Sequence, residues 1–367
     1  MIILRLELDK IYGFENFTID FTYPRKIVDS IIENENLIGR ERFRYKKAVV
    51  LMGANATGKT SLGKALLKII QFVVTSNSAV LFDMASGDGA SFTIDFVNMG
   101  YTLHRLSATI HNYEKEIVFR YQKADIGKMD SYEMCVQKLV DSTSEVMSVP
   151  NGLKMAVGPI HYRFAYPEVE GTLRLDGLKS DTLLKTMKAV IGTLDPTLTD
   201  VSISKDLKNT FIIRRKGIEI IIQDGKLLNR EVLSSGTAEG IDVAVFLASL
   251  LTAEPGFYYC DEHFSYIQSD IERRIFGIML ERIPNNSQLI FTTHNTDMLD
   301  LNLPKHSYVF LRKLMEDGEY RISAISASDL LKRNTDSIRS AVENDVFSSL
   351  PDDSLLDELE LGWANEH

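Results

Sequence analysis

Cysteines and long apolar runs are scarce in this chain, and each scarcity excludes a class of protein. Cys135 and Cys260 are the two cysteines among 367 residues, with no histidines at metal-ligand spacing, so we predict neither a disulfide framework nor a zinc site. No window holds the roughly 18 uncharged apolar residues of a membrane span. Arg5 and Glu7 interrupt the apolar N-terminus, which excludes a signal-peptide core. We therefore expect a folded, cytoplasmic protein with no membrane partner.

Charge is unevenly spread along the chain. There are 41 basic and 51 acidic residues, giving a net charge of −10, which argues against a surface that binds nucleic acid or an anionic membrane over its whole area. The segment 340–367 has eight acids and neither lysine nor arginine, so it carries −8 of that charge. We predict an acidic tail there, in which Leu355, Leu356, Leu359 and Trp363 form one apolar helix face. Two interpretations stay open: the helix packs on its own domain, or it docks on a basic partner.

A phosphate-binding loop is predicted after the apolar run that follows Lys47. The segment Gly53-Ala-Asn-Ala-Thr-Gly58-Lys59-Thr60 matches G-x-x-x-x-G-K-[ST] and precedes an amphipathic helix. Its glycines let backbone N–H groups approach phosphate oxygens, and the helix N-terminus adds a partial positive charge. Lys59 supplies a full charge at the β- and γ-phosphates, and Thr60 a hydroxyl for Mg²⁺. The residues predicted to hold ATP are Gly53, Ala54, Asn55, Ala56, Thr57, Gly58, Lys59, Thr60 and Ser61.

An apolar strand that ends in two acids is predicted at Phe257-Tyr-Tyr-Cys-Asp-Glu262. Asp261 at the strand end is placed to hold Mg²⁺ opposite Thr60. Glu262 is then free to orient or deprotonate an attacking water. Such an acid pair alone is weak evidence, because any strand that leaves a core is followed by polar residues. It gains weight here because a phosphate-binding loop precedes it in the chain.

Two further segments indicate the class of nucleotide-binding protein. Leu233-Ser-Ser-Gly-Thr237 resembles the LSGGQ signature of ABC-type ATPases, and the strand Ile290-Phe-Thr-Thr ends in His294, where that class carries its switch histidine. Together with Asn55, these motifs resemble the ABC-class P-loop ATPases of the SMC, RecF and OLD (overcoming lysogenization defect) grouping. Among these, they are most similar to the stand-alone OLD-like AAA ATPases of bacterial phage-defence systems. The resemblance covers residues 1–75 and about 228–312.

The resemblance implies an α/β fold, an ABC-ATPase-type head with a mostly parallel core sheet, an antiparallel β subdomain and a mixed helical insertion. It divides the chain into four segments. These are the N-terminal strands and phosphate-loop lobe (1–75), a mixed α/β insertion that forms a lid or helical subdomain (76–230), a lobe with the signature, the acid pair and the switch histidine (231–339), and the acidic tail (340–367).

The resemblance also implies a homodimer or higher oligomer that sandwiches ATP and Mg²⁺. The phosphate-binding loop of one subunit and the residues Ser234, Ser235 and Gly236 of the other would hold each ATP. His294 would sense the γ-phosphate beside Glu262, so the implied catalytic residues are Glu262, His294 and Lys59, and the implied metal ligands are Thr60 and Asp261. A helix N-cap is the simpler interpretation of Ser234, and a buried, hydrogen-bonded histidine that of His294.

Departures from the family narrow the expected function. Only 172 residues separate Thr60 from Leu233, too few for the long coiled-coil arms of SMC proteins. Only 73 residues follow His294, without the Toprim domain of OLD nucleases, so we expect a separate effector, a nuclease or a toxin. The main hypothesis is an ATP-driven switch that controls this effector in anti-phage defence. A RecF-like, DNA-binding repair ATPase and a non-hydrolysing ATP-binding scaffold are the alternatives.

A basic segment precedes the phosphate-binding loop. It contains Arg40, Arg42, Arg44, Lys46 and Lys47, with Phe43 and Tyr45 between them. Such a segment either binds nucleic acid through phosphate contacts and ring stacking or is a solvated loop that leads into the strand. Nucleic acid therefore stays a candidate partner at this point.

Overall fold

The computed structural model describes residues 1–28, 30–98, 100–166, 175, 177–215, 217–228, 230–252, 254–316, 318–333, 335–350 and 355–359, with the backbone alone at Thr199. The strands are β1 (Ile2–Asp9), β2 (Phe17–Asp20), β3 (Asn36–Leu37), β4 (Arg40–Arg44), β5 (Ala48–Met52), β6 (Ala90–Asn98), β7 (Thr102–His111), β8 (Glu116–Asp125), β9 (Val140–Asp141), β10 (Tyr162–Ala165), β11 (Leu198–Ile203), β12 (Thr210–Arg215), β13 (Ile218–Gln223), β14 (Lys226–Leu227), β15 (Phe257–Asp261), β16 (Gln288–Thr292), β17 (Tyr308–Glu316) and β18 (Glu319–Ser326). The helices are α1 (Lys59–Thr75), α2 (Ala79–Phe82), α3 (Tyr132–Val136), α4 (Thr143–Met147), α5 (Gly152–Val157), α6 (Ser180–Leu194), α7 (Ser235–Leu251), α8 (Ser269–Arg282), α9 (Ala327–Leu330) and α10 (Ile338–Glu343).

The central sheet has the strand order β10-β15-β16-β5-β17-β18. Its first five strands run parallel, and β18 returns antiparallel to β17. Every residue of β5, β15 and β16 is buried, as expected for parallel strands that are covered on both faces. The mostly parallel core sheet predicted from the sequence is therefore confirmed.

A second sheet packs over one face of α1. It has the order β2-β1-β6-β7-β8-β9, with antiparallel neighbours throughout. Leu62, Leu66 and Ile69 of α1 lie in one buried cluster with side chains of this sheet and of the central sheet, so the helix fills the space between the two sheets. Each such buried side chain stabilises the fold by roughly 1.5–3 kcal/mol. The predicted antiparallel β subdomain is confirmed.

The opposite face of the central sheet is covered by α6, α7 and α8, which share a second buried cluster with it. Nearly all of α7 is buried because the helix lies between the sheet and α6. The strands β11, β12, β13 and β14 form an antiparallel sheet whose apolar residues join the same cluster. Within the ranges that the structure describes, no helix combines the length and the apolarity needed to cross a membrane.

Strands from the segment 76–230 belong to both large sheets. β6 pairs with β1 and extends the antiparallel sheet, whereas β10 pairs with β15 and extends the central sheet. The lobes are thus linked through continuous hydrogen-bonded ladders. The domain boundaries at residues 75, 230 and 339 stay predictions.

The basic segment is not the surface that the sequence suggested. Phe43 and Tyr45 are both 0% exposed, so neither ring is available to stack on a base, and that prediction is wrong. Lys46 and Lys47 are buried too, and each ammonium group donates to a backbone carbonyl, at 3.0 and 2.8 Å. The solvated-loop interpretation is therefore wrong for these two lysines, which help to join the segment to the body.

The acidic tail divides into a packed part and an exposed part. Val342 and Phe347 are buried, and the Phe347 ring stacks on Phe310 of β17 with centroids 4.1 Å apart. Residues 355–359 are helical, and their leucines are exposed, namely Leu355 at 76%, Leu356 at 64% and Leu359 at 55%. Trp363, the fourth residue of the predicted apolar face, lies outside the described residues.

Candidate nucleotide-binding site

Three neighbouring strands of the central sheet end side by side and bring the predicted residues to one edge. The register pairs Asp261 of β15 with Thr292 of β16, and Thr292 with Leu51 of β5. Because parallel strands present their carboxyl ends at the same edge of a sheet, the segments that follow them meet there. The phosphate-binding loop, the acid pair and His294 therefore lie together.

The loop between β5 and α1 makes the sharp turn that its glycines permit. Gly58 has φ +94° and caps α1, and a Cβ atom on it would lie 2.8 Å from the Phe14 ring. The Thr57 hydroxyl donates to the Ala54 carbonyl at 2.8 Å and closes the turn. The first turn of α1 thus follows the loop directly, as an anion site at a helix N-terminus requires. Of the predicted loop residues, Asn55 and Ala56 are exposed, Thr57 and Lys59 are buried, and Gly53, Ala54, Gly58, Thr60 and Ser61 are half-buried.

The Lys59 ammonium group is held inside the loop. The residue is 4% exposed, and its Nζ atom donates to the carbonyls of Gly53 and Ala54 at 2.8 and 3.1 Å. The same atom lies 3.2 Å from Oε1 of Glu262. A positive charge is therefore fixed inside the loop, beside the Glu262 carboxylate.

Asp261 ends β15 as a fully buried carboxyl group. Its Oδ1 atom accepts a hydrogen bond from the Thr292 hydroxyl at 2.8 Å, whereas Oδ2 has no hydrogen-bond partner in the described part of the chain. Burial raises the pKa of Asp261, and the nearby Thr60 and Thr292 hydroxyls offset only part of this rise. A buried carboxylate oxygen without a donor, close to a threonine hydroxyl, is a donor set that suits Mg²⁺, so the residues fit the predicted metal.

Glu262 connects the lysine to the switch histidine. Its Oε2 atom lies 2.8 Å from Nε2 of His294, while Oε1 faces Lys59. Burial acts to raise the pKa of Glu262, but hydrogen bonds and charges from His294 and Lys59 outweigh it and lower the pKa below its ordinary value. Glu262 also has φ +46°, a left-handed backbone conformation that is uncommon for glutamate and concentrates at functional sites. The structure thus brings together the three residues predicted as catalytic.

The predicted signature begins α7. Ser234 caps the helix, and its Oγ accepts from the Thr237 N–H at 3.2 Å, which confirms the N-cap interpretation; Ser234 and Ser235 are exposed. A Cβ atom on Gly236 would lie 2.7 Å from the Tyr266 carbonyl oxygen, so only glycine fits without displacement. The signature therefore lies against the loop that follows Glu262, and no hydrogen bond or ion pair joins it to the phosphate-binding loop within the described residues.

A C-terminal strap, residues 337–350, forms one wall of a cavity of about 530 Å³ beside the phosphate-binding loop. The Ser349 carbonyl accepts a hydrogen bond from the Ala54 N–H at 3.1 Å. Arg339 makes two contacts of 2.6 Å with Asp300 and donates to the Thr296 carbonyl at 3.1 Å. The strap therefore contacts both the phosphate-binding loop and the short helix that follows His294.

Sequence reasoning missed several residues that hold the site in place. The Tyr259 hydroxyl donates to the Lys59 carbonyl at 2.7 Å, and the Thr292 hydroxyl binds Asp261. Glu239 accepts from the Tyr266 N–H at 2.9 Å, and Glu272 accepts from Thr293 and Asn295. Thr292 and Tyr259 lie in the predicted strands, so their position beside the motifs was a usable signal. The two glutamates lie on helices whose sequence shows no comparable signal.

No model of a protein family and no curated protein matches the chain. Among solved structures, the chain is similar to an SMC head bound to the C-terminal winged-helix domain of ScpA, with a TM-score of 0.53, 16% identity, and coverage of 90% of this chain and 100% of that one. It is also similar to an SMC head domain with an extended coiled coil bound to the C-terminal domain of ScpA, derived from Pyrococcus furiosus, at a TM-score of 0.51 and 13% identity over 90% and 98% of the chains. At such identities the likeness establishes the fold, so the predicted ABC-ATPase-type head fold is confirmed.

Proposed function

We propose that the chain is a Mg²⁺-dependent ATPase whose copies close around ATP and thereby control a separate effector protein. The observation that carries the ATPase proposal is the position of the Glu262 carboxylate. One of its oxygens lies 3.2 Å from Nζ of Lys59, the lysine of the phosphate-binding loop, and the other lies 2.8 Å from Nε2 of His294. This arrangement places a fixed positive charge, a carboxylate base and a histidine around one point. The fold of SMC heads supports the same activity by analogy.

The chemistry follows from the charge of each group. Lys59 and the N-terminus of α1 bind the β- and γ-phosphates, where they stabilise the charge of the transferring phosphoryl group. Glu262 stays a carboxylate because its pKa is lowered, so it is able to accept a proton from an attacking water. His294, half-exposed and hydrogen-bonded to Glu262, faces the same space. Mg²⁺, when bound by Thr60 and Asp261, neutralises charge on the β- and γ-phosphate oxygens.

The exposed start of α7 supports a site completed by a second copy. Ser234 caps the Thr237 N–H, but the N–H groups of Ser235 and Gly236 have no partner within the helix, and Ser234 and Ser235 are exposed. Phosphate is a ligand that such a terminus favours. We infer that Ser234, Ser235 and Gly236 of one copy contact the γ-phosphate held by the phosphate-binding loop of another copy, as the resemblance to ABC-class ATPases implies.

Control of an effector is the finer part of the proposal. The strap contacts Ala54 at one end and the segment after His294 at the other, and the rest of the acidic tail, residues 351–367, follows it in the chain. A partner bound to the tail would therefore be attached to a wall of the nucleotide pocket. A role in anti-phage defence is supported by the resemblance to OLD-like ATPases. Two similar structures, each an SMC head bound to part of ScpA, give an analogy for binding a partner protein.

ATP hydrolysis by the purified chain, with and without Mg²⁺, tests the ATPase proposal, and Glu262→Gln tests the role of the carboxylate. We expect the variant to bind ATP but to hydrolyse it on the order of 10²-fold more slowly, because general-base catalysis contributes about that factor. Sedimentation velocity with saturating ATP should then show a trapped dimer. A wild type that hydrolyses no ATP above background, together with an unchanged sedimentation coefficient in the variant, would instead identify a non-hydrolysing scaffold, whereas measurable turnover that the variant retains would contradict the role of Glu262.

Two further measurements address the partner. The Glu262→Gln chain, purified with ATP from its native host, should retain the effector, which mass spectrometry identifies. Binding to gapped DNA at increasing salt addresses the RecF-like alternative, since phosphate contacts weaken steeply with salt. Burial of Phe43 and Tyr45 removes the ring stacking, and burial of Lys46 and Lys47 removes two of the five basic side chains that had favoured nucleic acid, so we expect no ATP-dependent binding to DNA.

A further inference from the structure

A buried glutamate of α8 holds the two residues that flank His294. Glu272 is 3% exposed. Its Oε1 atom accepts from the Thr293 hydroxyl at 2.8 Å, and its Oε2 atom accepts from the side-chain amide of Asn295 at 2.6 Å. His294 lies between these two residues. Its ring is 45% exposed and contacts Glu262 instead.

The contacts continue into the backbone around the histidine. The Thr293 hydroxyl oxygen also accepts from the Asn295 N–H at 3.0 Å, and the side-chain Oδ1 atom of Asn295 accepts from the Asp297 N–H at 2.9 Å. Both residues next to His294 are thus fixed in side chain and backbone by a network that starts at Glu272. A network in which each buried polar group is satisfied permits one arrangement and disfavours others.

A buried carboxylate at this position has an energetic cost, which the fold tolerates. Burial raises the pKa of Glu272, and the donors on Asn295 and Thr293 offset only part of the rise. An apolar residue of similar size would avoid that cost. Glu272 also lies in the first turn of α8, where the helix dipole favours an anion, and it lines a cavity of about 320 Å³ with Glu262 and His294.

We propose that Glu272 is a positioning residue that aims the His294 ring at Glu262. The inference rests on the proposed ATPase function and extends it to a residue on a different helix. Glu272 acts through Thr293 and Asn295, so its loss should leave the binding of ATP to the phosphate-binding loop intact. The loss should lower kcat, because a misaligned histidine no longer contacts Glu262 in the geometry seen here.

Glu272→Gln tests this with little change in shape. A glutamine places an NH₂ group where one of the two carboxylate oxygens lies, so one of the hydrogen bonds from Thr293 and Asn295 is lost or has to reverse its direction. We expect kcat for ATP hydrolysis to fall about tenfold or more, while KM and the affinity for a fluorescent ATP analogue stay within about twofold. Glu281→Gln, an exposed glutamate of the same helix, is the matched control and should behave as wild type. Wild-type kcat in Glu272→Gln overturns the proposal.

A double-mutant cycle separates positioning from general destabilisation. If Glu272 acts through the histidine, Glu272→Gln should cause no further loss of kcat in a His294→Ala background; multiplied losses overturn the proposal. Should Glu272→Gln fail to fold, as judged by thermal melting, Thr293→Val removes one donor of the same network and takes its place in the cycle. Wild-type kcat in Thr293→Val is then the contradicting result.

The NMR signal of the His294 ring can be measured without ATP hydrolysis, so it tests this inference separately from the ATPase proposal. In histidine-labelled protein, the His294 ring signal is assigned from its absence in His294→Ala. We expect Glu272→Gln to shift and broaden that signal, and Glu281→Gln to leave it in place. An unchanged signal contradicts the positioning role even if the wild type hydrolyses ATP. A shifted signal supports the role even if hydrolysis is absent and the ATPase proposal fails.

Discussion

The edge of the central sheet and the start of α7 both carry residues expected to contact ATP, yet they differ in how many partners they have. At the sheet edge, Lys59, Glu262 and His294 contact one another within one chain. At α7, Ser234 caps its own helix, and the side chains of Ser234 and Ser235 face solvent. Folding of one chain therefore assembles the first region. The second region is folded too, but within the described residues no hydrogen bond or ion pair joins it to the phosphate-binding loop. This difference is what a site shared between two copies requires.

The largest effect is expected at the sheet edge. Lys59→Ala removes a buried ammonium group that faces both the loop carbonyls and Glu262. We expect the affinity for ATP to fall on the order of 10²-fold or more, since loss of a buried charged partner costs about 2–5 kcal/mol. Isothermal titration calorimetry measures this. Lys68→Ala, on the same helix but in a surface ion pair with Asp83, is the control and should keep its affinity.

A smaller effect, confined to turnover and assembly, is expected at α7. Asp and Asn both cap helices as well as Ser does, so Ser234→Asp and Ser234→Asn should melt like the wild type. Asp adds a negative charge that would repel the γ-phosphate of the ATP held by the other copy, whereas Asn adds no charge. We expect Ser234→Asp to hydrolyse ATP on the order of tenfold more slowly than Ser234→Asn and to lose ATP-driven dimerisation. Equal rates in the two variants would mean that no phosphate approaches this helix.

Asp261 offers a test in which stability and activity move in opposite directions. Its pKa is raised by burial, so the folded chain holds this proton more tightly than the unfolded chain. The charged carboxylate therefore destabilises the fold at neutral pH, and the penalty begins to shrink at the raised pKa and is gone once the pH is below the ordinary pKa of aspartate. We expect Asp261→Asn to raise the apparent Tm at pH 8 by roughly 2 °C, for a gain of the order of 1 kcal/mol.

The gain in Tm should shrink as the pH is lowered toward 4, while Mg²⁺-dependent hydrolysis is lost at every pH. Differential scanning fluorimetry across pH measures the first effect and a phosphate-release assay the second. Thr292→Val, which removes the donor to Asp261 and leaves the charge, should lower Tm at neutral pH. A lower Tm in Asp261→Asn at neutral pH would contradict the account of the buried carboxylate.

The smallest effect is expected beyond the strap. Deletion of residues 351–367 leaves Phe347 stacked on Phe310 and Ser349 bound to Ala54, so ATP turnover should stay within about twofold of wild type. Phe347→Ala, in contrast, removes a fully buried ring and should lower the stability by about 3–5 kcal/mol. The two variants together tell whether ATP turnover depends on the strap alone or also on residues 351–367. Loss of turnover on deletion of residues 351–367 would show that it depends on both.

Local spacing explains what could be predicted from the sequence. The phosphate-binding loop, the acid pair and the switch histidine each follow an apolar strand directly, and adjacent parallel strands bring their ends together whatever the length between them. The mostly parallel core sheet and the antiparallel β subdomain were expected from the family resemblance that these motifs carry.

Tertiary contacts explain what could not be predicted. Phe43 and Tyr45 alternate with basic residues, a pattern that fits both a surface and a strand, and only packing against distant residues decides that they are buried. Glu272 contacts residues about 20 positions away through side chains alone. The hydrogen bond between Ser349 and Ala54 joins segments from opposite ends of the chain. No local pattern marks any of these contacts in advance.

A mixing experiment tests the central claim, that two copies build one site, most directly. Lys59→Ala has a defective phosphate-binding loop and an intact signature, and Ser234→Asp has the reverse. Lys59→Ala should be nearly inactive alone and Ser234→Asp should be slowed, but a mixed dimer would contain one intact site, with Lys59 from one copy and Ser234 from the other. We predict that mixing the two raises ATP hydrolysis above the sum of the rates of the separate variants, with a maximum at equal amounts. No gain in hydrolysis at any ratio, while both variants remain folded, would contradict it.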